Sequence, residues 1–252
     1  MLMDAKPNNI VAIASGKGGV GKTWLAITLA QLIARSGRHV LLFDGDIGLA
    51  NVDVQLGLMP QRDLGGVLQN RHTLKEAVTR QEELGFDIIA GRSGSASLAA
   101  LPEARLDAIG AELTALARDY DVVLLDLGAG VEQNVRRLAA LASRCIVVAT
   151  DEPTSLTDAY AFIKLMRGSP YMPEMQIVVN QAATQKEGEV TFQALSRAAS
   201  NFLSLSPKLL GIIRRDNKVK ESIRAQAPLL ARAPASTAAT DAAAIAVRLM
   251  QR

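Results

Sequence analysis

The sequence predicts an α/β protein built on a mostly parallel, twisted sheet with helices on both faces. Short apolar runs rich in β-branched residues recur along the 252 residues. Longer stretches between these runs carry apolar residues at helical spacing, and no Pro-, Gly- or Ser-rich linker interrupts the alternation. Nearly continuous apolar strands are typical of parallel sheets covered on both faces. We therefore expect three layers, helix–sheet–helix, in a single domain over residues 1–252.

Each predicted strand is a mainly apolar run of strand length. The first has the sequence IVAIA and the second HVLLF, and the later runs follow after enough residues for a crossover helix, which parallel strands require. The alanine-rich stretch 234–252 is expected to form a closing helix. The seven predicted strands cover residues 10–14, 39–43, 86–90, 121–125, 145–149, 176–179 and 209–213.

The glycine-rich stretch SGKGGVGKTW, residues 15–24, follows the first strand. Gly16, Gly21, Lys22 and Thr23 satisfy the spacing G-x-x-x-x-G-K-[ST], in which successive backbone N–H groups wrap a triphosphate. A helical pattern follows, so the phosphates would lie at a helix N-terminus. Lys22 would then reach the β/γ-phosphates, and the Thr23 hydroxyl would bind Mg²⁺. The alternative is a turn that only joins strand to helix, but a plain turn requires neither the lysine nor the hydroxyl.

Acidic residues follow two predicted strands, at the edge where ligands of open α/β sheets collect. Asp126 ends the strand VVLL, which is the Walker B pattern of a carboxylate that holds Mg²⁺, usually through water. Asp44 and Asp46 follow the strand VLLF. Gly128 and Gly130 would let the backbone approach the γ-phosphate and rearrange when that group leaves. The expected ligands are ATP and Mg²⁺.

A second lysine in the loop, Lys17, has glycines on both sides and no packing role there. The stretch KGGVGKT resembles the deviant Walker A motif of the MinD/ParA class of P-loop ATPases. That resemblance implies a P-loop NTPase fold, slow and partner-stimulated ATP hydrolysis, and an ATP-dependent homodimer in which the early lysine reaches the partner's nucleotide. The alternative is a solvated lysine on an exposed loop. The nucleotide ligands implied in the loop are Gly16, Lys17, Gly18, Gly19, Val20, Gly21, Lys22, Thr23 and Trp24.

Four further stretches resemble the FlhG/FleN (YlxH-like) branch of this class, MinD-like ATPases that set flagellar number and placement in bacteria. They are DGDIGLANVDVQLGL from residue 44, DEPTSLTDAYAFIKLM from 151, VVNQA from 178 and GIIRRDNKVKESIRAQAPL from 211. The branch therefore implies a protein partner, flagellar or polar.

The same resemblance assigns roles by position. Asp46 would orient the attacking water, and Lys17 and Lys22 would complete the catalytic set. The implied metal site is Thr23, Asp44 and Asp126. The implied switch residues are Asp46, Asn51, Asp53, Gly128 and Gly130. The residues implied to contact the base are Asn180, Arg214 and Asp216.

Position 24 departs from the family, in which a small polar residue bonds the α-phosphate. Trp24 cannot replace that hydroxyl, and the loss of one such bond would lower nucleotide affinity by about 1 kcal/mol. We expect its indole to face the core from the first helix turn rather than to stack on a base.

The charge balance leaves two kinds of partner open. The chain carries 28 Lys and Arg against 25 Asp and Glu, a formal net charge of +3. One hypothesis is a spatial regulator that binds a protein partner; the other is a ParA-type partition ATPase that grips DNA without sequence preference. Basic residues cluster over residues 208–232, but runs of charge are usually solvated helix faces. No aromatic residue lies among these basic residues to stack on bases. The cluster comprises Lys208, Arg214, Arg215, Lys218, Lys220, Arg224 and Arg232.

Two counts bear on the location and the class of the protein. No apolar run approaches the ~18 residues that span a bilayer, and the first nine residues have no apolar signal segment, so we expect a cytoplasmic protein. The resemblance adds a peripheral position at the inner membrane or cell pole, although the last eleven residues are short of bulky apolar side chains, and we favour their packing on the domain. Cys145 is the single cysteine, which excludes an iron–sulfur carrier and predicts a small buried hydrophobe.

Overall fold

The computed structural model describes residues 8–46, 49–91 and 102–251. These residues form one eight-stranded sheet with helices on both faces. None of the helices within those ranges is long and apolar enough to cross a membrane.

The sheet has the strand order β3-β4-β2-β5-β1-β6-β7-β8, and every neighbouring pair is parallel except β3 with β4. All seven predicted strands are confirmed. The additional strand, β3, is a three-residue antiparallel edge that the apolar pattern missed. The bounds are β1 Ile10–Ser15, β2 Val40–Gly45, β3 Thr79–Gln81, β4 Phe86–Ile89, β5 Val122–Ala129, β6 Arg144–Ala149, β7 Glu174–Ala182 and β8 Lys208–Arg214.

The helices cover the two faces of the sheet and bury two separate apolar clusters. In β1, Val11 and Ile13 face the cluster that includes α1 and α10, whereas Ala12 faces the cluster that includes α4 to α7. This alternation follows from the two-residue period of a strand, and it confirms the three-layer prediction. The helices are α1 Lys22–Arg35, α2 Val52–Leu56, α3 Leu64–Leu68, α4 Glu103–Leu116, α5 Gln133–Ala139, α6 Pro153–Arg167, α7 Gln185–Leu203, α8 Asn217–Arg224, α9 Leu229–Arg232 and α10 Thr237–Met250.

Two smaller predictions are also confirmed. The closing helix α10 packs against α1 and β8, with Ile245 and Leu249 buried. Cys145 is fully buried in β6, and burial raises the pKa of its thiol to about 12. At neutral pH this cysteine is therefore a thiol without nucleophilic character.

Candidate active site

The glycine-rich loop lies between β1 and α1 and is packed tightly on both sides. A Cβ on Gly16 would come within 2.1 Å of the Asp158 carbonyl oxygen on α6, and one on Gly21 would come within 2.4 Å of Asn180 Nδ2 near the end of β7. Gly21 also has φ of 92°, a left-handed conformation that favours glycine. The loop therefore holds its shape through contacts to α6 and β7, and it leads directly into the N-terminus of α1.

Lys22 is the first residue of α1 and is almost fully buried. Its Nζ donates to Ser15 Oγ at 2.9 Å, and that hydroxyl in turn donates to the Lys17 carbonyl at 2.6 Å. Burial lowers the pKa of Lys22, while the carboxylates of Asp126 and Asp46 oppose this shift. Ser15 thus connects the two lysines of the loop.

The carboxyls of Asp44 and Asp126 occupy paired positions on the adjacent strands β2 and β5. Both are buried. Burial raises the pKa of Asp44 to about 7 and that of Asp126 to about 8, and the Asp44 charge adds to the rise at Asp126. Two neighbouring buried carboxyls resist ionising together, so this end of the sheet favours a positive ligand.

Asp44 has more partners than the sequence indicated. Its Oδ1 accepts from the backbone N–H of Asp46 at 3.2 Å, and its Oδ2 accepts from those of Asn51 and Val52 at 3.1 and 3.0 Å. The carboxylate therefore fixes both ends of the segment that joins β2 to α2. Residues 47 and 48 of that segment lie outside the described residues.

The residues present fit a magnesium ion. Both carboxylate oxygens of Asp126 are buried and have no hydrogen-bond partner in the described part of the chain, and the Thr23 hydroxyl is close enough to lower the pKa of Asp126. Within residues 8–46, 49–91 and 102–251, no group of three or more His, Cys, Asp or Glu side chains could hold a metal by itself. Mg²⁺ is usually bound by one or two carboxylates together with substrate phosphates, so this donor set suits it.

Removing the buried charge at this position should stabilise the nucleotide-free protein. The pKa of this carboxyl is about 8 in the folded protein and 3.8 in the unfolded chain, so its ionisation is disfavoured in the fold. The folded protein therefore loses stability as the pH rises between these two values. We expect Asp126→Asn to raise the unfolding free energy at pH 9 by roughly 2 kcal/mol, which corresponds to a rise of about 4–8 °C in the thermal midpoint. At pH 4 the midpoint should change little. Thermal unfolding across this range measures the effect.

Asp119→Asn is the matched control for that prediction, since the Asp119 side chain is 57% exposed. Its midpoint should follow the wild type at every pH. A pH-independent difference between Asp126→Asn and the wild type would show that the buried carboxyl does not titrate as described.

Asp46 lies at the carboxyl end of β2, half-buried above Gly128. A Cβ on Gly128 would come within 3.1 Å of Asp46 Oδ1. Burial raises the pKa of Asp46, Lys22 lowers it, and Glu132 raises it. The next described helix, α2, begins at Val52, so Asp46 does not cap it. The Asp46 carboxylate therefore lies close to Gly128, near the end of β5.

The other predicted switch residues lie in the segments that follow β2 and β5. Asn51 is the N-cap residue of α2 without a side-chain capping bond, and its side chain donates to the Leu49 carbonyl. Asp53 Oδ1 accepts from the Val54 N–H at 2.8 Å. Gly130 has φ of 109°, and its N–H donates to the Ser15 carbonyl. The left-handed Gly130 thus joins the segment after β5 to the start of the glycine-rich loop.

The predicted base-contacting residues are engaged within the chain. Asn180 Nδ2 donates to the Val20 carbonyl at 2.7 Å. The Arg214 guanidinium bonds both oxygens of Asp241, which is buried on α10. Asp216 caps α8 and also accepts from the Ala238 N–H. Base contact by these three side chains stays a prediction.

Lys17 and Trp24 have contrasting environments. Lys17 Nζ donates to the Glu152 carboxylate and, at 2.9 Å, to Thr154 Oγ. Trp24 is 4% exposed and lies in the apolar cluster that includes α1 and α10, which agrees with the expected core-facing indole. The indole Nε1 has no hydrogen-bond partner among the described residues. Lys17 therefore makes polar contacts within its own chain that the sequence pattern did not indicate.

The basic cluster over residues 208–232 is partly neutralised. Three of its seven members form ion pairs within the chain: Lys208 with Glu174, Arg214 with Asp241, and Lys218 with Glu221. The pairing favours solvated or structural roles for these three residues.

Sequence reasoning missed four residues of the site region: Ser15, Glu152, Thr154 and Asp241. Ser15 was visible as a polar residue at a strand end, immediately before the glycines. The other three contact their partners across 27 to 137 residues of chain, and no local pattern marks such contacts.

Comparison with known proteins places the chain beside nucleotide-binding domains. The sequence profile of the CobQ/CobB/MinD/ParA nucleotide binding domain matches residues 11–229. The antiactivator FleN of Pseudomonas aeruginosa is 33% identical over 243 residues, which cover 96% of this chain and 86% of FleN. The flagellum site-determining protein YlxH of Helicobacter pylori is 34% identical over 224 residues, which cover 88% of this chain and 75% of YlxH.

Solved structures agree with the predicted fold class. The cell division ATPase MinD of Pyrococcus furiosus superposes with a TM-score of 0.82 at 21% identity, covering 96% of this chain and 98% of that one. The septum site-determining protein MinD of Pyrococcus horikoshii, complexed with Mg-ADP, has the same TM-score at 23% identity and covers 96% of both chains. At such identity the likeness shows the fold alone.

Proposed function

Because the chain belongs to the MinD/ParA family of nucleotide-binding ATPases, we propose that it is an ATP-driven switch that regulates the number or placement of flagella. We further propose that residues 1–252 act as a single domain and that ATP joins two copies into a homodimer. The observation that carries the proposal is the arrangement of the glycine-rich loop: Lys22 is buried beside Asp126, whereas Lys17 lies partly exposed at its surface.

ATP would bind along the loop from Gly16 to Trp24, with Lys22 against the β/γ-phosphates. Thr23 and Asp126 would hold Mg²⁺, supported by Asp44, and the ion when bound would neutralise charge on these phosphates. Asn180, Arg214 and Asp216 would border the base. Because the Trp24 indole is buried, it would not make the α-phosphate contact that a small polar residue makes at this position in the family.

Hydrolysis would depend on Asp46, which accepts a hydrogen bond from the attacking water and holds it in line with the γ-phosphorus. The segment from Asn51 to Asp53 and the glycines Gly128 and Gly130 would respond to loss of the γ-phosphate, since Asp44 and Ser15 tie these segments to the strand ends. We propose that turnover is slow and stimulated by a protein partner. The expected location is the cytoplasm, with peripheral association at the inner membrane or pole.

Lys17→Ala should weaken ATP-dependent dimerisation and hydrolysis together. Each dimer would lose two charge-assisted contacts to phosphate, each typically worth about 1.5–3 kcal/mol, so the dimer dissociation constant should rise by at least about 100-fold. Sedimentation velocity with Mg²⁺ and a non-hydrolysable ATP analogue measures the first effect, and phosphate release measures the second.

Lys75→Ala is the control, because the Lys75 side chain is 78% exposed and pairs with Asp119. It should dimerise and hydrolyse ATP as the wild type does. If Lys17→Ala formed an equally tight dimer, Lys17 would have no role across the interface.

The flagellar role has a cellular test. We expect loss of the gene to change the number or position of flagella, and the Lys22→Ala variant to leave that change uncorrected. Electron microscopy of the deletion strain carrying either form gives the result. Normal flagella in the deletion strain would contradict the proposal.

A partition ATPase that binds nonspecific DNA is the second candidate. It is favoured by the exposed basic residues Arg215, Lys220, Arg224 and Arg232. Binding to duplex DNA should then require ATP and fall steeply with salt. A salt titration of binding to duplex DNA and to anionic vesicles shows whether the surface is DNA, a membrane or neither of them. We expect the protein to bind neither DNA nor vesicles tightly at physiological salt.

A further inference from the structure

The contacts of Lys17 reach from the glycine-rich loop to the start of α6. Its Nζ donates to the Glu152 carboxylate and to Thr154 Oγ, while its own carbonyl accepts from Ser15. The Lys17 side chain is 35% exposed and that of Glu152 is 60% exposed. The lysine is therefore held within its own chain, although it remains close to the protein surface.

The position of Glu152 suits this contact better than it suits helix capping. Glu152 is the N-cap residue of α6, but its side chain makes no capping hydrogen bond. A helix N-terminus carries a partial positive charge, which repels a nearby ammonium group. The Glu152 carboxylate offsets that repulsion, so without it Lys17 would be disfavoured at this site.

We propose that Glu152 and Thr154 are positioning residues that hold Lys17 in its own chain and thereby weaken ATP-dependent dimerisation. The inference rests on the proposed function, in which Lys17 reaches the nucleotide of a second copy. Glu152 and Thr154 engage two of the three N–H donors of the Lys17 ammonium group, so this contact competes with binding of the partner's phosphates. The strength of the intramolecular contact then opposes formation of the dimer.

The expected effect is moderate because both charges are partly exposed. Exposed ion pairs change an equilibrium by about twofold to fivefold. A twofold-symmetric dimer would release one such contact in each copy. Removing the contact should therefore tighten the dimer by about 4-fold to 25-fold.

The test measures self-association of Glu152→Gln by sedimentation velocity with Mg²⁺ and a non-hydrolysable ATP analogue. Glutamine keeps the size of the side chain and removes its charge. We expect a dissociation constant about 4-fold to 25-fold lower than that of the wild type, with unchanged affinity of the dilute monomer for the analogue. Thr154→Val should shift dimerisation in the same direction by a smaller factor, and Thr154→Ser, which keeps the hydroxyl, should match the wild type.

The results separate this inference from the proposed function. A Glu152→Gln dimer that is unchanged or weaker overturns the positioning role, and a weaker one would show that Glu152 supports the interface. If the wild type dimerises with the analogue and Lys17→Ala does not, the proposed function stands whatever Glu152→Gln does. If the wild type does not dimerise, both are wrong.

Discussion

Asp46→Ala is expected to bind ATP as the wild type does and to hydrolyse it about 100-fold to 10,000-fold more slowly. Positioning of the attacking water and acceptance of its proton are typically worth this much in rate. The ATP-bound dimer should accumulate as a result. Calorimetry measures ATP binding, and phosphate release under saturating ATP measures turnover.

The surroundings of Asp46 support a loss confined to turnover. The neighbouring cation is Lys22, which lowers the pKa of Asp46, and burial is the main cause of the opposite shift. Removing this carboxylate takes one negative charge from the phosphate side of the site, so ground-state binding should not weaken. The Asp44 carboxylate and the three backbone N–H groups it holds are unaffected.

A helix-capping role would give a different result, and Asp63→Ala supplies the comparison. Asp63 is the N-cap of α3, where its Oδ1 accepts from the Gly66 N–H at 2.7 Å. That variant should lose about 1 kcal/mol of unfolding free energy and keep its ATPase rate. If Asp46→Ala instead melted early and hydrolysed ATP at the wild-type rate, the catalytic role of Asp46 would be wrong.

Lys22→Ala is expected to lower ATP affinity by at least about 30-fold. Truncating one partner of a buried charge pair typically costs 2–5 kcal/mol or more, about 30-fold to several thousand-fold in binding. Lys22 is almost fully buried at the N-terminus of α1, where the phosphates would lie. Calorimetry gives the affinity, and fluorescence of the sole tryptophan, Trp24, gives a second measure.

The Lys22 variant needs a folding control because it also removes the cation beside Asp126. Thermal unfolding of the nucleotide-free protein shows whether the fold survives, and Lys75→Ala shows the effect of losing an exposed lysine. A folded Lys22→Ala protein with wild-type ATP affinity would exclude phosphate binding by this loop.

The strands were predictable because each parallel strand is buried on both faces and therefore apolar along its length. β3 could not be found in this way, since Thr79, Arg80 and Gln81 form a partly exposed edge with no apolar residue. The short helices α2 and α3 have only five residues each, too few to show a helical period. Their positions depend on contacts with the rest of the fold.

The chemistry of the site was predictable where one motif specifies it, as for Lys22 and Asp126. It was less so where distant residues meet. The Glu152 contact of Lys17 joins residues 135 positions apart, and it depends on the packing of α6 against β1. The sequence therefore indicates the residue types that reach the site, and the fold decides which of them contact one another.

The central claim is that ATP, and not ADP, joins two copies of this chain. Sedimentation velocity of the wild type with Mg²⁺ and either ADP or a non-hydrolysable ATP analogue tests it most directly. We predict a monomer with ADP and a dimer with the analogue, with nucleotide bound in both samples. The same sedimentation coefficient in both samples, with nucleotide shown to be bound, would contradict the account.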